Sequence, residues 1–415
     1  MIKSLKYLLL ISHITAFFSS ISQYESHQNG LQFGLCHAGT SNTEKEYSLV
    51  KELGARWVRV DFSWNKLEPQ QGNWNFSKYD AFLNKANEEG IKVLAILNYD
   101  ANWLHKDKDQ SRRIDLEELP HFLNYVEVVG KRYGTKVSAF EIWNEPNTKR
   151  FWTGSNRDFF ELSNQSLNKL KEVAPNTPVA IGSLFYHPIL SAKSYLKKMI
   201  NNVDVNKASA ISLHPYSINI SKLNKRITKA KELISSNGHN IPIWITEIGF
   251  PTGGLYPSKI NLDEQANIVS KSLIYLTKAG SEIIYWYCLF DSNNKEKTDK
   301  KTSSEDFFGL VWPNYKLKPG ATSFSTIAKE LNGATYNTSN IQLETNKPNS
   351  IFHALYKSKN NSDVLVVWSK KKQSIIKIND RSVMKCIDLL TGKTIKLNNL
   401  KEIKVTNTPL LIHLD

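Results

Sequence analysis

Short apolar runs recur eight times between residues 31 and 331, each followed by a helix-like stretch, and few folds accept that rhythm. The runs are Gln32–His37, Trp57–Asp61, Lys92–Asn98, Ala139–Trp143, Val179–Ser183, Ala210–His214, Ile243–Glu247 and Ile283–Tyr287. Near-continuous apolar runs of this length are what parallel strands buried on both faces require. Amphipathic stretches lie between them, among them Tyr79–Glu89, Leu119–Tyr133 and Asp263–Ala279. Gly90, Gly134 and Gly280 follow these stretches and read as helix C-caps. Eight such alternations predict an α/β fold, a (β/α)8 TIM barrel over residues 23–331. A doubly wound open sheet is the alternative, but no glycine-rich phosphate loop follows an early strand.

After the helix-like Thr322–Leu331 the texture changes to short alternating runs. Phe352–Tyr356, Val364–Trp368, Ile375–Ile378, Cys386–Leu390 and Leu410–Leu414 read as strands, with turns at Asn379-Asp380 and Thr391-Gly392. Residues 332–415 are therefore expected to form a small antiparallel β-sandwich. At the other end, Lys3 and Lys6, the apolar run Tyr7–Phe18 and the small residues Ser19, Ser20 and Ser22 predict a signal peptide over 1–22 and a secreted protein, periplasmic or extracellular. No later segment has the ~20 apolar residues that span a bilayer. Three cysteines, Cys36, Cys288 and Cys386, make no disulfide framework. A Cys36–Cys288 bridge is geometrically conceivable between neighbouring strands, and buried free thiols are the expectation.

The chemistry concentrates at two strand ends, Phe140-Glu-Ile-Trp-Asn-Glu-Pro-Asn147 and Ile243-Trp-Ile-Thr-Glu-Ile-Gly-Phe-Pro251. Active sites of such barrels lie at the C-terminal ends of the strands. Glu145 would follow the fourth strand and Glu247 would end the seventh, so both carboxyls can point into one cleft. Hydrolysis of a glycosidic bond needs such a pair, one carboxyl protonated to assist the leaving oxygen and the other ionised. Like charge and an apolar setting raise a carboxyl pKa, and Trp143 and Pro146 supply that setting at Glu145.

Trp143-Asn-Glu-Pro-Asn147 resembles the acid/base motif of the large clan of retaining (β/α)8 glycosidases, and Trp244-Ile-Thr-Glu-Ile-Gly249 resembles its nucleophile strand. Within the clan the chain looks most like family 39 members, which include β-xylosidases, α-L-iduronidases and exopolysaccharide-cleaving enzymes. The resemblance implies Glu145 as acid/base and Glu247 as nucleophile. It implies that Asn144 bonds the sugar 2-hydroxyl and that Arg59 keeps the nucleophile ionised; an ion pair of Arg59 with Asp61 is the alternative. His214-Pro-Tyr216 matches the clan's His-x-Tyr pattern, with Tyr216 bonded to the nucleophile and His214 on the floor.

Trp286, at the end of the eighth run, is expected to offer an aromatic platform to a sugar ring. His37, Trp64, Asn98 and Trp103 lie just past other strand ends and are further subsite candidates. No His-x-x-x-His or Cys-x-x-Cys spacing occurs, so neither a metal nor another cofactor is expected. Lys and Arg number 54 against 39 Asp and Glu, a formal charge of +15. The lysines are spread along the whole chain without a nucleic-acid motif, so nucleic acid is not the expected partner; the resemblance implies a polysaccharide or oligosaccharide, and the charge makes an anionic one worth testing. A transglycosidase or a non-catalytic carbohydrate-binding barrel are the alternative functions; loss of one glutamate would mark the latter, and both are present.

Overall fold

The computed structural model describes residues 30–36, 44–105, 112–187, 192–217, 219–254, 260–292, 303–339, 341–371, 373–396 and 402–415. The expected signal peptide and His37 lie outside the described residues.

Eight parallel strands close into a barrel in chain order: β1 (Gln32–Cys36), β2 (Trp57–Ser63), β3 (Lys92–Asn98), β4 (Ala139–Ile142), β5 (Val179–Phe185), β6 (Ala210–His214), β7 (Ile243–Ile248) and β8 (Ile283–Trp286). β1 closes the ring on β8 through the pairs Gln32 with Ile283 and Leu35 with Trp286. Alternation along each strand divides the side chains into two layers. Cys36, Trp57, Leu94, Ala139, Ala180, Ala210, Trp244 and Tyr285, one from each strand, fill the barrel interior. The alanines of β4, β5 and β6 leave room for the large rings of β2, β7 and β8. Residues one position away, such as Val58, Val93, Phe140, Ile211 and Ile245, pack outward against the helices.

The helices follow the apolar periodicity closely. Ser77–Glu88, Leu119–Tyr133, Leu262–Lys278 and Pro319–Leu331 are all helical. Gly90 and Gly280 have φ of 69° and 79°, the left-handed conformation of a C-cap. Gly134 differs: its φ is −55°, and what requires glycine there is the Ala174 Cβ, 2.6 Å from where a Cβ would stand.

Residues beyond 331 form two antiparallel sheets, β10 (Leu343–Thr345), β13 (Gln373–Ile378) and β15 (Ile403–Thr406) in one, and β14 (Val383–Asp388), β16 (Leu410–Leu414), β12 (Asp363–Ser369), β11 (Ile351–Lys357) and β9 (Thr335–Asn337) in the other. The two pack as a β-sandwich. β12 is buried throughout: Leu365 and Val367 face the second sheet, while Val364, Val366 and Trp368 face the barrel. There the helix Leu262–Lys278 is covered on both sides. Its Tyr275 meets Phe352 and Trp368 at ring distances of 4.7 and 5.3 Å, and Thr277 Oγ1 bonds Tyr356 Oη at 2.7 Å. Cys36, Cys288 and Cys386 are buried free thiols.

Candidate active site

Arg59 stands at the centre of the barrel mouth because β2 turns Trp57, Arg59 and Asp61 inward. Its guanidinium donates to four partners: Nε to Glu141 Oε2 at 2.6 Å, Nη1 to Glu247 Oε1 at 2.5 Å, and Nη2 to Asn144 Oδ1 at 3.0 Å and Ser183 Oγ at 3.1 Å. The alternative pairing with Asp61 is not formed; Asp61 accepts from Asn98 Nδ2 at 2.8 Å instead. A planar fork of donors suits this divergent set of acceptors in a way an ammonium cannot.

Irregular backbone brings the remaining groups in. After β4, Trp143 and Glu145 have φ of 64° and 45°, so the chain kinks and carries Asn144 and Glu145 over the opening. β5 carries a register shift between Ile181 and Leu184, with Gly182 at φ 107°, which turns the Ser183 hydroxyl inward. β7 carries another between Ile245 and Ile248, and both Thr246 and Glu247 then reach the site.

Each carboxyl is held on named atoms. Glu247 Oε2 accepts from Tyr216 Oη at 2.7 Å while Oε1 takes the Arg59 bond. Glu145 Oε1 is 2.9 Å from His214 Nδ1, and His214 Nε2 lies 3.0 Å from both Thr246 Oγ1 and Ser183 Oγ. One oxygen of Glu145, one of Glu247 and a ring nitrogen of His214 all lie within 4.8 Å of one another. Such a trio has the spacing to hold a cation, but Arg59 already supplies positive charge to the same Glu247 carboxylate.

Burial raises both carboxyl pKa values. Glu145 is pushed furthest, well above the usual range, because burial and the charge of Glu247 act together. Glu247 is raised by burial but opposed by Arg59 and by the Tyr216 hydrogen bond. The pair shares its protons, and the proton resides preferentially on Glu145. His214 is depressed well below its ordinary value, by burial and then by Arg59. A neutral imidazole beside Glu145 orients it without the positive charge that would draw its proton off.

Arg59, Asn144, Glu145, His214, Tyr216 and Glu247 thus converge. Other sequence-predicted residues do not. Trp286 was expected to face a sugar, but it is fully buried against Phe250, because β8 points Tyr285 and Tyr287 inward and Trp286 outward. Trp64 is likewise fully buried behind the barrel, stacked on Tyr125 with Nε1 donating to Glu68 Oε2 at 2.6 Å. Trp103 packs edge-on to Trp64, and its Nε1 donates to Glu68 O. Asn98 points into the barrel but is fully buried on Asp61. Four groups escaped the sequence reading: Glu141, Ser183, Thr246 and Tyr99, whose ring stands edge-on to Trp143 at 5.5 Å. Glu141 carried a signal. It and Arg59 are opposite charges, each in the middle of an otherwise apolar run, and such charges need one another. Ser183 and Thr246 carried none, since register shifts deliver them.

A closed (β/α)8 barrel with two buried glutamates at the ends of β4 and β7 has the make-up of a glycoside hydrolase. The chain belongs to the cellulase family, glycosyl hydrolase family 5, whose model matches residues 21–292, and it is an O-glycosyl hydrolase. Family 39 and family 30 enzymes share its fold. A family 39 glycoside hydrolase from the gut symbiont Bacteroides cellulosilyticus WH2 is similar over 94% of this chain and 81% of that one, at 17% identity and a TM-score of 0.73. A family 39 β-xylosidase from Caulobacter crescentus matches over 94% and 96% of the two chains, at 14% identity and a TM-score of 0.63. A family 30 subfamily 8 xylanase from Clostridium acetobutylicum matches over 93% and 97%, at 14% identity and a TM-score of 0.66.

Proposed function

We propose that the protein is a secreted, retaining glycoside hydrolase that cleaves a polysaccharide or oligosaccharide by double displacement, with Glu247 as nucleophile and Glu145 as acid/base. The observation that carries this reading is the proximity of the two carboxyls. Oxygens within 4.8 Å fit the short separation of retaining enzymes, about 5–5.5 Å between carboxyl groups, and leave no room for the water that an inverting enzyme holds between them at about 6.5–9.5 Å.

In the first step Glu247 attacks the anomeric carbon while Glu145 gives its proton to the departing glycosidic oxygen. In the second, Glu145 takes a proton from water, whose oxygen displaces Glu247 from the sugar. Arg59 and Tyr216 each hold one oxygen of Glu247, which keeps it ionised and fixes its direction. His214 fixes Glu145. Asn144, held by Arg59 through Oδ1, is positioned to bond the sugar 2-hydroxyl, a bond that tightens in the oxocarbenium-like transition state.

Aryl β-glucosides and β-xylosides, with cello- and xylo-oligosaccharides, are the first substrates to test. Glu247→Gln is expected to lower turnover by at least about a thousandfold. Azide is expected to rescue Glu247→Gly with the opposite anomer as product. Turnover that survives in Glu247→Gln, or an inverted anomer released first by the unaltered enzyme, would remove the reading. The lysine-flanked apolar N-terminus supports secretion, and recovery of mature protein beginning near residue 23 outside the cytoplasm tests it.

A further inference from the structure

Two charged side chains that the mechanism does not use meet above the site. Arg150, in the loop after β4, pairs with Glu305, in the 3-10 helix Ser304–Phe307 of the loop after β8, with Nη1 and Oε1 2.9 Å apart. In a closed ring of eight strands β4 and β8 lie four places apart in either direction, diametrically opposed. A link between their loops therefore crosses the barrel mouth rather than following its rim.

Both ends of the link are fixed. The Arg150 guanidinium lies 5.1 Å from the centre of the Phe151 ring, and the Phe151 carbonyl accepts from Trp143 Nε1 at 2.9 Å. The Arg112 side chain donates to the Arg150 carbonyl. On the other side, Tyr287 Oη bonds Glu305 Oε2 at 3.4 Å, and Thr252 in the loop after β7 donates through its amide to Phe307 O at 3.0 Å. The link passes close to the chemistry, since the charges of Arg150 and Glu305 both act on the carboxyl of Glu145.

We infer that the Arg150–Glu305 pair is a bar across the mouth that restricts hydrolysis to the ends of glycan chains; the inference rests on the glycosidase reading above. The bar separates a β1–β3 side from a β5–β7 side; on the latter the Phe185 and Tyr216 rings lie 5.7 Å apart, and Phe308 of the β8 loop lies 6.2 Å from Tyr216. A linear glycan lying across Glu145 and Glu247 has to pass beneath it. The interior of a polymer has no end to insert and cannot be laid in from above, whereas a free chain end can slide under. Arg150 and Glu305 are 61% and 42% exposed, so salt screens the pair and loosens the bar.

The test measures product lengths from end-labelled cello-, xylo- and manno-hexaose, using whichever the enzyme cleaves fastest, together with viscosity loss per reducing end on the matching polymer. The unaltered enzyme is expected to release products of one size from one end, with little loss of viscosity. Arg150→Ala and Glu305→Ala are expected to raise the ratio of interior to terminal cuts by about two- to fivefold, and the charge-swapped double variant Arg150→Glu, Glu305→Arg to restore the original ratio. Interior cutting by the unaltered enzyme, or single variants with an unchanged product pattern, would overturn the bar. Failure of the glycosidase reading is distinguishable, because it appears as turnover surviving in Glu247→Gln.

Discussion

Arg59 carries the largest burden of any residue. Its guanidinium stands between Glu141 and Glu247, and all four of its bonds go to groups that are themselves buried. Arg59→Lys is expected to leave at least one carboxylate unpaired and to cost about 3–5 kcal/mol, read by chemical denaturation, besides lowering kcat. Glu145 has the opposite relation to stability. Its folded pKa lies above the unfolded value, so the native state binds more protons than the unfolded one. The slope of unfolding free energy with pH is then negative between the two values, and stability falls as pH rises through that window. Glu145→Gln removes this contribution, so it is expected to raise Tm at pH 8 more than at pH 5. Equal changes at both values would show that Glu145 is not held protonated. Activity is expected to follow a bell in pH, losing its alkaline limb in Glu145 variants assayed on activated aryl glycosides, while the acid limb reports protonation of Glu247.

Elements hold these residues in place, and two are open to test. The helix Leu262–Lys278, which directly follows the β7 loop, begins with a reciprocal cap: Asn261 Oδ1 accepts from the Glu264 amide at 2.8 Å and Glu264 Oε2 accepts from the Asn261 amide at 2.9 Å. Asn261→Ala is expected to cost about 1 kcal/mol in a denaturant titration, with little change in kcat. The β8 loop is anchored by Asp291 and Lys318, both fully buried at the side chain and 2.6 Å apart. Burial nonetheless pushes the Asp291 carboxyl up to about 6. Gly309 fits there because Asp291 N stands 2.1 Å from where its Cβ would be, and its amide donates to Asp291 Oδ1. Lys318→Met is expected to destabilise by about 3–5 kcal/mol by stranding that carboxylate, and Asp291→Asn in the same chain to recover part of the loss. A double variant no better than the single would separate the two residues.

At the scale of the whole molecule the barrel and the sandwich share one hydrophobic cluster, which runs from the barrel helices through Tyr275 and Tyr356 to Val366 and Trp368. Lys271 Nζ bonds Asn407 Oδ1 at 2.6 Å and Lys278 Nζ bonds His353 O at 2.9 Å across the same junction. An interface this continuous couples the two parts. Trp368→Ala, in a side chain 1% exposed, is expected to cost about 3–5 kcal/mol and to lower a single calorimetric transition in which both parts unfold together. Two resolved transitions, with only one displaced, would show that the sandwich folds on its own. The formal charge of +15 also acts at this scale: faster turnover of an acidic glycan than of its neutral counterpart should shrink as salt rises, and identical salt dependence would leave the charge without a role in substrate choice.

The sequence by itself determined the barrel, because runs buried on both faces must be continuously apolar and their number is visible in one pass. It also determined where the two glutamates stand, because strand ends of such a barrel meet at one mouth. The sandwich showed through its longer strands; β9, β10 and β15, of three or four residues each, are too short to carry an alternation that stands out. What only the tertiary structure decided was which way side chains point. A shift of one residue moves a side chain from one face of a strand to the other. That single step put Trp286 in the core and Tyr287 at the mouth, and the shifts in β5 and β7 brought in Ser183 and paired Thr246 with Glu247. It decided as well what Arg59 binds, since Glu141, Asn144, Ser183 and Glu247 come from three other strands or their ends, and no local pattern records a contact made across a barrel.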